Sequence, residues 1–163
     1  MKYLKVLCSL MIVLCVSFIF TGQKAYASNA DEIYQFMRDI GCNHAVAIAV
    51  LVNLEHESAY YIHHHKDIDA ILRDGGFYGI CQWSGNRLVN LKSFCIRNGL
   101  SASSLYGQLK FLEYELEERG MLAQLKSYPN TRDGAYNAAY YFAVKFLECG
   151  GASYRARLAS NRF

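Results

Sequence analysis

The 163-residue chain carries 17 basic and 14 acidic side chains, a formal net charge of +3. That excess equals the contribution of Lys2, Lys5 and Lys24, so the rest of the chain is close to neutral and its charge gives no indication of a nucleic-acid partner. With a single proline, Pro129, and no repeat, linker or low-complexity stretch, residues 28–163 fit one compact domain.

The first 27 residues have the order of a secretory signal. Lys2 and Lys5 precede an apolar run over 6–20, and an Ala-Tyr-Ala motif ending at Ala27 is a typical cleavage site. The apolar run is shorter than the roughly 20 residues needed to span a bilayer. We therefore expect residues 1–27 to be removed and the domain to be secreted, extracellular or associated with a cell wall, as a monomer without a membrane span.

Apolar spacing beyond residue 28 predicts a mainly α domain. A first helix over about 30–40 ends at Gly41. Asn43 then caps a second helix running to about Ser58, whose residues 45–52 are apolar on every side, as is typical of a helix buried in the middle of a domain. The same criteria predict a third helix over about 86–98, a fourth beginning near Ser104 with an apolar face reaching Leu122 and Leu125, a fifth over about 133–148, and a short basic tail over 154–162.

Between the second and third helices the pattern is irregular, and we expect an excursion from the helical core that contains a small hairpin. Three adjacent histidines, His63-His64-His65, lie in this region. Neighbouring loop histidines cannot all face one ion, and no cysteine or acidic partner stands at ligand spacing. We therefore expect an exposed polar loop and no metal site.

Two carboxylates, Glu55 and Glu57, stand at the end of the buried second helix. Burial raises the pKa of a carboxylate and favours the neutral acid, the form in which a glycosidase protonates its leaving oxygen. Residues two apart on a helix point to nearly opposite sides, so at most one of the two faces a cleft, and helical spacing does not say which. Both could equally be surface residues of the last turn.

The segment Phe77–Trp83 is the second chemically suggestive feature. Gly79 permits close approach of a ligand to the backbone, and Gln82 can both donate and accept hydrogen bonds. Tyr78 and Trp83 offer flat apolar faces suited to sugar rings. A buried strand with a core tryptophan would explain the same residues.

Together the two segments resemble a known family. The pattern Asn53-x-x-x-Glu57-Ser58, followed by Tyr78-Gly79-Ile80-x-Gln82-Trp83, is similar to the signature of the phage-tail lysozyme family within the lysozyme superfamily. Weaker matches follow in the same order over 108–112, 115–116 and 146–148, so the resemblance covers about residues 33–148.

The resemblance implies an α+β lysozyme-like fold that cleaves the β-1,4 glycan backbone of peptidoglycan without a cofactor. Glu57 then maps to the catalytic acid, and Glu55 to a position outside catalysis. The substrate-binding positions implied by the family are Ser58, Tyr78, Gly79, Gln82 and Trp83.

A second carboxylate is required if the reaction is a hydrolysis of the lysozyme type. Among the aspartates of the excursion, Asp74, beside Gly75-Gly76, is the expected partner of Glu57. Lytic transglycosylases instead use one glutamate, and Tyr136-Asn137-Ala138 resembles their Tyr-Asn-Ala element, which would place Tyr136 on the substrate side. A core helix rich in alanine and tyrosine explains those residues equally.

Two departures from the family pattern lie beside the expected cleft, at Ala59-Tyr60 and at Phe77. They leave open a second class of function, a non-catalytic cell-wall-binding module that has kept the cleft. A third class is a helical interaction protein stabilised by disulfides. Such a protein would not require Glu57 to be followed by the motif Tyr78-Gly79-x-x-Gln82.

Four cysteines follow the predicted signal, an even number in an exported chain, and no Cys-x-x-Cys pair suggests zinc or redox chemistry. We expect two disulfides. Of the three possible pairings, we favour Cys81–Cys95 with Cys42–Cys149.

Overall fold

The computed structural model describes residues 29–60 and 67–163. The predicted signal and the loop His63-His64-His65 lie outside the described residues. Helices dominate the described part, which confirms the predicted mainly α class. The helices are α1 over 29–39, α2 His44–Ser58, α3 Ile68–Asp74, α4 Gly85–Arg97, α5 Leu105–Glu118, α6 Met121–Ser127, α7 Arg132–Tyr141, a π-helical turn Phe142–Leu147, and α8 Ala152–Arg162.

Helix α2 is the central element, as predicted. The side chain of Asn43 caps it by accepting from the Val46 amide at 3.0 Å, and it also donates to the Tyr128 carbonyl at 2.7 Å. Residues around the whole circumference of α2 are buried, and the helix ends where Ala59 adopts a left-handed conformation. An apolar helix of this kind is stable only when other elements cover every side of it.

Helices α7 and α8 supply part of that cover. Helix α7 runs parallel to α2: near the start of both helices the Ala45 amide donates to Asn130 at 3.0 Å. Further along, the Asn53 side chain donates to the Ala139 carbonyl at 3.1 Å. The parallel course brings the π-helical turn to the same end of the domain as the last turn of α2.

The excursion is more regular than expected, because it contains α3. Only Ile71 of this short helix is buried, so its apolar pattern is weak. The predicted hairpin is present as a tight turn closed by an antiparallel bridge between Tyr78 and Trp83.

Two further boundaries differ from the prediction. The fourth predicted helix is divided into α5 and α6 at Gly120, which has a φ of 66°. The predicted basic tail is helix α8, in which Ala156 and Ala159 are the buried residues. Alanine gives a weak apolar signal, so the buried face of α8 is hard to recognise from the sequence. In the described ranges, no helix combines the length and the apolar character needed to cross a membrane.

Candidate active site

Glu57 lies in the last turn of α2 with its side chain only 15% exposed. Its Oε1 atom accepts a hydrogen bond from Arg155 Nη1 of α8 at 2.6 Å, in an ion pair that is largely buried on both sides. The same Arg155 nitrogen lies 3.4 Å from the carbonyl oxygen of Asn53, one turn earlier in α2. Glu57 is therefore an enclosed carboxylate with a cationic partner, rather than the isolated buried acid expected from the sequence.

Ser58 joins the two segments that carry the family resemblance. Its hydroxyl is buried and shares its proton between the carbonyl oxygens of Leu54, at 3.3 Å, and Ile80, at 3.2 Å. The bond to Ile80 fastens the end of α2 to the turn Tyr78–Trp83. The structure thus places Glu57 beside that turn and gives Ser58 an internal role instead of the expected contact with substrate.

Backbone hydrogen bonds and two residues with positive φ angles define the turn Tyr78–Trp83. The amide of Tyr78 donates to the Trp83 carbonyl at 2.9 Å, and the amide of Trp83 donates to the Tyr78 carbonyl at 2.8 Å. The Gln82 amide donates to the Gly79 carbonyl at 3.1 Å. Gly79 and Gln82 have positive φ angles of 72° and 51°. The Gln82 side chain is half-buried and donates to the Gly79 carbonyl at 2.9 Å, so its amide group is held in a fixed position within the turn.

Gln108 of α5 supports this turn from behind. Its Oε1 accepts from the Ile80 amide at 3.0 Å, and its Nε2 donates to the Ala102 carbonyl at 2.9 Å. A Cβ atom built on Gly79 would lie 2.6 Å from the same Oε1. The close approach predicted at Gly79 is therefore made by Gln108, and the expectation that a ligand makes it finds no support here.

The Trp83 ring is fully buried, and its Nε1 donates to Glu115 at 2.7 Å. Arg87 holds the same carboxylate through two bonds of 2.8 Å. Tyr78 is also buried, and the nearby Asp67 adds to burial in raising the pKa of its hydroxyl. Neither ring offers the open face expected for stacking on a sugar, because both belong to the core.

Tyr78 does line a cavity of about 660 Å³ between α3, α4 and the loop after α4. Lys92 and Ser101 line it too, whereas Glu57 does not. This cavity is consequently separate from Glu57.

The structure shows other contacts for the remaining predicted site residues. Asp74 is exposed at the end of α3 and pairs with Arg73 at 3.3 Å. Tyr136 is half-buried on α7 and packs against the core. Since α7 runs parallel to α2 and its Ala139 is level with Asn53, Tyr136 lies about one turn further than Ala139 from the end of α2 that carries Glu57.

All four described cysteines are free thiols, so neither expected disulfide is present. Cys42 precedes α2, whereas Cys149 lies near Glu57 at the opposite end of that helix. At about 1.5 Å of rise per residue these ends are about 20 Å apart, far beyond the reach of one disulfide. The Cys95 thiol instead donates to the Gly107 carbonyl at 3.8 Å, and Cys81 is a free thiol.

Two residues next to Glu57 were not anticipated, Arg155 and Cys149. Burial, together with Glu57, raises the pKa of the Cys149 thiol, which also lies 3.6 Å from the Ala143 carbonyl. The sequence signal that could have identified Arg155 is its spacing from Arg162. Residues seven apart lie on one face of a helix, so the two arginines give α8 a positively charged face that complements Glu55 and Glu57.

Comparison with known proteins supplies the context for this arrangement. No curated protein matches the chain significantly. The family model for phage tail lysozyme matches residues 28–162, which include α8 as well as both motif segments. The chain belongs to the phage tail lysozyme family.

Proposed function

We propose that the protein is a peptidoglycan glycosidase that cleaves the β-1,4 glycan backbone with Glu57 as its general acid. The observation that carries the proposal is the bond from Ser58 to the Ile80 carbonyl, at 3.2 Å. It fixes the end of α2 against the turn that carries Gln82, so a carboxylate and a fixed amide stand on neighbouring elements. Family membership supports cell-wall lysis as the general activity.

In this proposal Glu57 donates a proton to the glycosidic oxygen as the bond from that oxygen to the sugar C1 breaks. The bonding electrons leave with the oxygen, and the resulting carboxylate can then accept a proton from the group that attacks C1. Gln82 is our candidate for a substrate contact, because its amide is half-buried and rigidly placed. Removal of residues 1–27 in export would deliver the domain to this substrate.

A second candidate is lytic transglycosylase chemistry, in which a hydroxyl of the sugar attacks C1 and no water is consumed. It is favoured by the partners of the aspartates in the excursion: Asp74 pairs with Arg73, Asp69 with Lys92, and Asp67 lies near the Tyr78 hydroxyl. None of these contacts links an aspartate to Glu57, where hydrolysis would require a second carboxylate. Mass spectrometry of the digested glycan separates the candidates, since hydrolysis yields reducing ends and transglycosylation yields anhydro ends.

The decisive variant is Glu57→Gln. We expect its rate of peptidoglycan lysis to fall by about 10²–10⁴-fold, the contribution of a general acid, with the fold unchanged. Glu55→Gln is the matched control, because Glu55 lies two residues earlier in α2 and also pairs with an arginine of α8. A Glu57→Gln protein within about threefold of the wild-type rate would exclude the assignment, and release of free peptides would exclude glycosidase activity altogether.

A further inference from the structure

Helix α8 places two arginines on the two carboxylates at the end of α2. Arg155 pairs with Glu57 at 2.6 Å, and Arg162 pairs with Glu55 at 2.5 Å. The two pairs join the same two helices and use the same kinds of side chain. They therefore form a natural comparison in which only one pair includes the proposed catalytic residue.

The two pairs differ in burial. The side chains of Arg155 and Glu57 are 12% and 15% exposed, whereas those of Arg162 and Glu55 are 40% and 35% exposed. Arg155 also reaches the Asn53 carbonyl at 3.4 Å, so its guanidinium contacts α2 at two points one turn apart. A buried group held in this way limits the rotamers that Glu57 can adopt, because Oε1 is tied to a fixed donor.

Among the described residues, the other titratable groups that interact with Glu57 are thiols. Cys149 interacts with Glu57 electrostatically from the loop before α8, and Cys81 does so from the turn Tyr78–Trp83. Burial raises the pKa of both thiols, so both are uncharged at neutral pH. On α2 itself, His56 packs edge-on against Tyr154 and Glu55 pairs with Arg162. Within the described part of the chain, Arg155 is thus the charged partner of Glu57.

We propose that Arg155 is the positioning residue of Glu57: it fixes the carboxylate for proton transfer. This inference rests on the proposed function, with Glu57 as general acid. Arg155 acts through Glu57 and needs no contact with the substrate.

The test compares Arg155→Met, Arg155→Lys and Arg162→Met with the wild-type protein, using soluble glycan strands. We expect Arg155→Met to lower kcat by about 10–100-fold, the loss that follows when a reacting group is misplaced. KM should change by less than about twofold, because substrate binding is retained. Arg155→Lys should recover part of kcat, because it keeps the charge and loses the planar fork.

Arg162→Met is the control for the link between the helices. It removes the equivalent ion pair between α8 and α2 and should leave kcat and KM at wild-type values. A folded Arg155→Met protein with wild-type kcat would overturn the inference. Equal losses in Arg155→Met and Arg162→Met that follow the loss of folded protein, measured by circular dichroism, would also overturn it.

If Arg155→Met does not fold, Arg155→Gln decides the question, since that variant removes the charge and wild-type kcat in it contradicts a positioning role. Glu57→Gln is assayed alongside. If Glu57→Gln retains activity, the proposed function fails. If Glu57→Gln is inactive while Arg155→Met behaves as wild type, only the role of Arg155 fails.

Discussion

At Gly79 the backbone passes Gln108 so closely that a side chain has no space. The φ angle of 72° is one that residues other than glycine rarely adopt, and a Cβ atom would lie 2.6 Å from Gln108 Oε1. Gln108 cannot easily withdraw, because it is fully buried and holds both the Ile80 amide and the Ala102 carbonyl. Two separate constraints therefore require glycine here, one conformational and one steric.

Gly79→Ala should consequently lower the free energy of unfolding by about 2–3 kcal/mol, the sum of backbone strain and a forced shift of Gln108. Gly99→Ala is the matched control, since Gly99 has a φ of 65° and no atom within 4 Å of the added Cβ. Urea denaturation of both variants separates the steric cost from the conformational one. Equal destabilisation of the two would show that Gln108 moves freely.

The sequence predicted which two segments lie close together better than it predicted the role of each residue in them. The pairing of Glu57-Ser58 with Tyr78–Trp83 is visible in the motif spacing, and the structure brings both to one end of α2. Trp83 could not be assigned to the core in advance, because a large ring with a polar edge suits a sugar or a buried carboxylate equally well. Arg155 was not predicted because its partner lies 98 positions away, and the spacing of Arg155 from Arg162 does not by itself identify that partner.

Among the elements, α4 and α5 are linked through a polar cluster behind the turn Tyr78–Trp83. Glu115 of α5 accepts from Trp83 Nε1 and from Arg87 of α4, while Arg87 also lies over the Phe146 ring, 4.8 Å from its centroid. The Glu115 side chain is 10% exposed, whereas that of Arg87 is 32% exposed. Removing the carboxylate would leave the indole N–H and the guanidinium without their shared acceptor.

Glu115→Ala is therefore expected to cost about 2–3 kcal/mol, less than for a fully buried pair because Arg87 is partly solvated. Glu113→Ala, on the same helix, removes the ion pair with the partly exposed Lys110 and should cost at most about 1 kcal/mol. Trp83 is the only tryptophan, so its fluorescence reports directly on the cluster during urea denaturation. Equal effects of the two substitutions would contradict a supporting role for Glu115.

Element prediction succeeded where the apolar pattern is strong and failed where small residues do the packing. Helix α2 was predicted to its end residues, because its apolar run is continuous and Asn43 marks its start. Helix α8 buries Ala156 and Ala159, and its arginines suggested a short basic tail. The division at Gly120 was missed because Leu122 and Leu125 continue the apolar face across it.

For the whole molecule, the same burial that builds the core also determines how it responds to alkali. Burial raises the pKa of Cys42 from 9.0 to about 11, against the opposing charges of Lys126 and Arg38. It raises the pKa of Tyr60 from 10.0 to about 12, with Glu55 adding to the effect. The free thiols Cys81, Cys95 and Cys149 are shifted in the same direction, also by burial.

These shifts predict that stability decreases above about pH 9. An acid whose pKa is raised by folding releases its proton more readily in the unfolded chain, so the unfolded state binds fewer protons and the free energy of unfolding falls as pH rises. For Cys42 the stabilisation is complete below pH 9.0 and is lost as the pH approaches about 11. Its loss should amount to about 2 kcal/mol at about pH 10.5, and the other buried thiols should add to it.

Urea denaturation at about pH 8 and about pH 10.5, with a reductant present, measures this loss. The Cys42→Ala variant should show a decrease smaller by about 2 kcal/mol, because alanine has no proton to lose. Repeating the measurement at about pH 8 without reductant distinguishes free thiols from disulfides, since omitting the reductant changes the stability only if cysteines are bridged. A free energy of unfolding that is constant between the two pH values would mean that Cys42 is not buried as a neutral thiol in the folded protein.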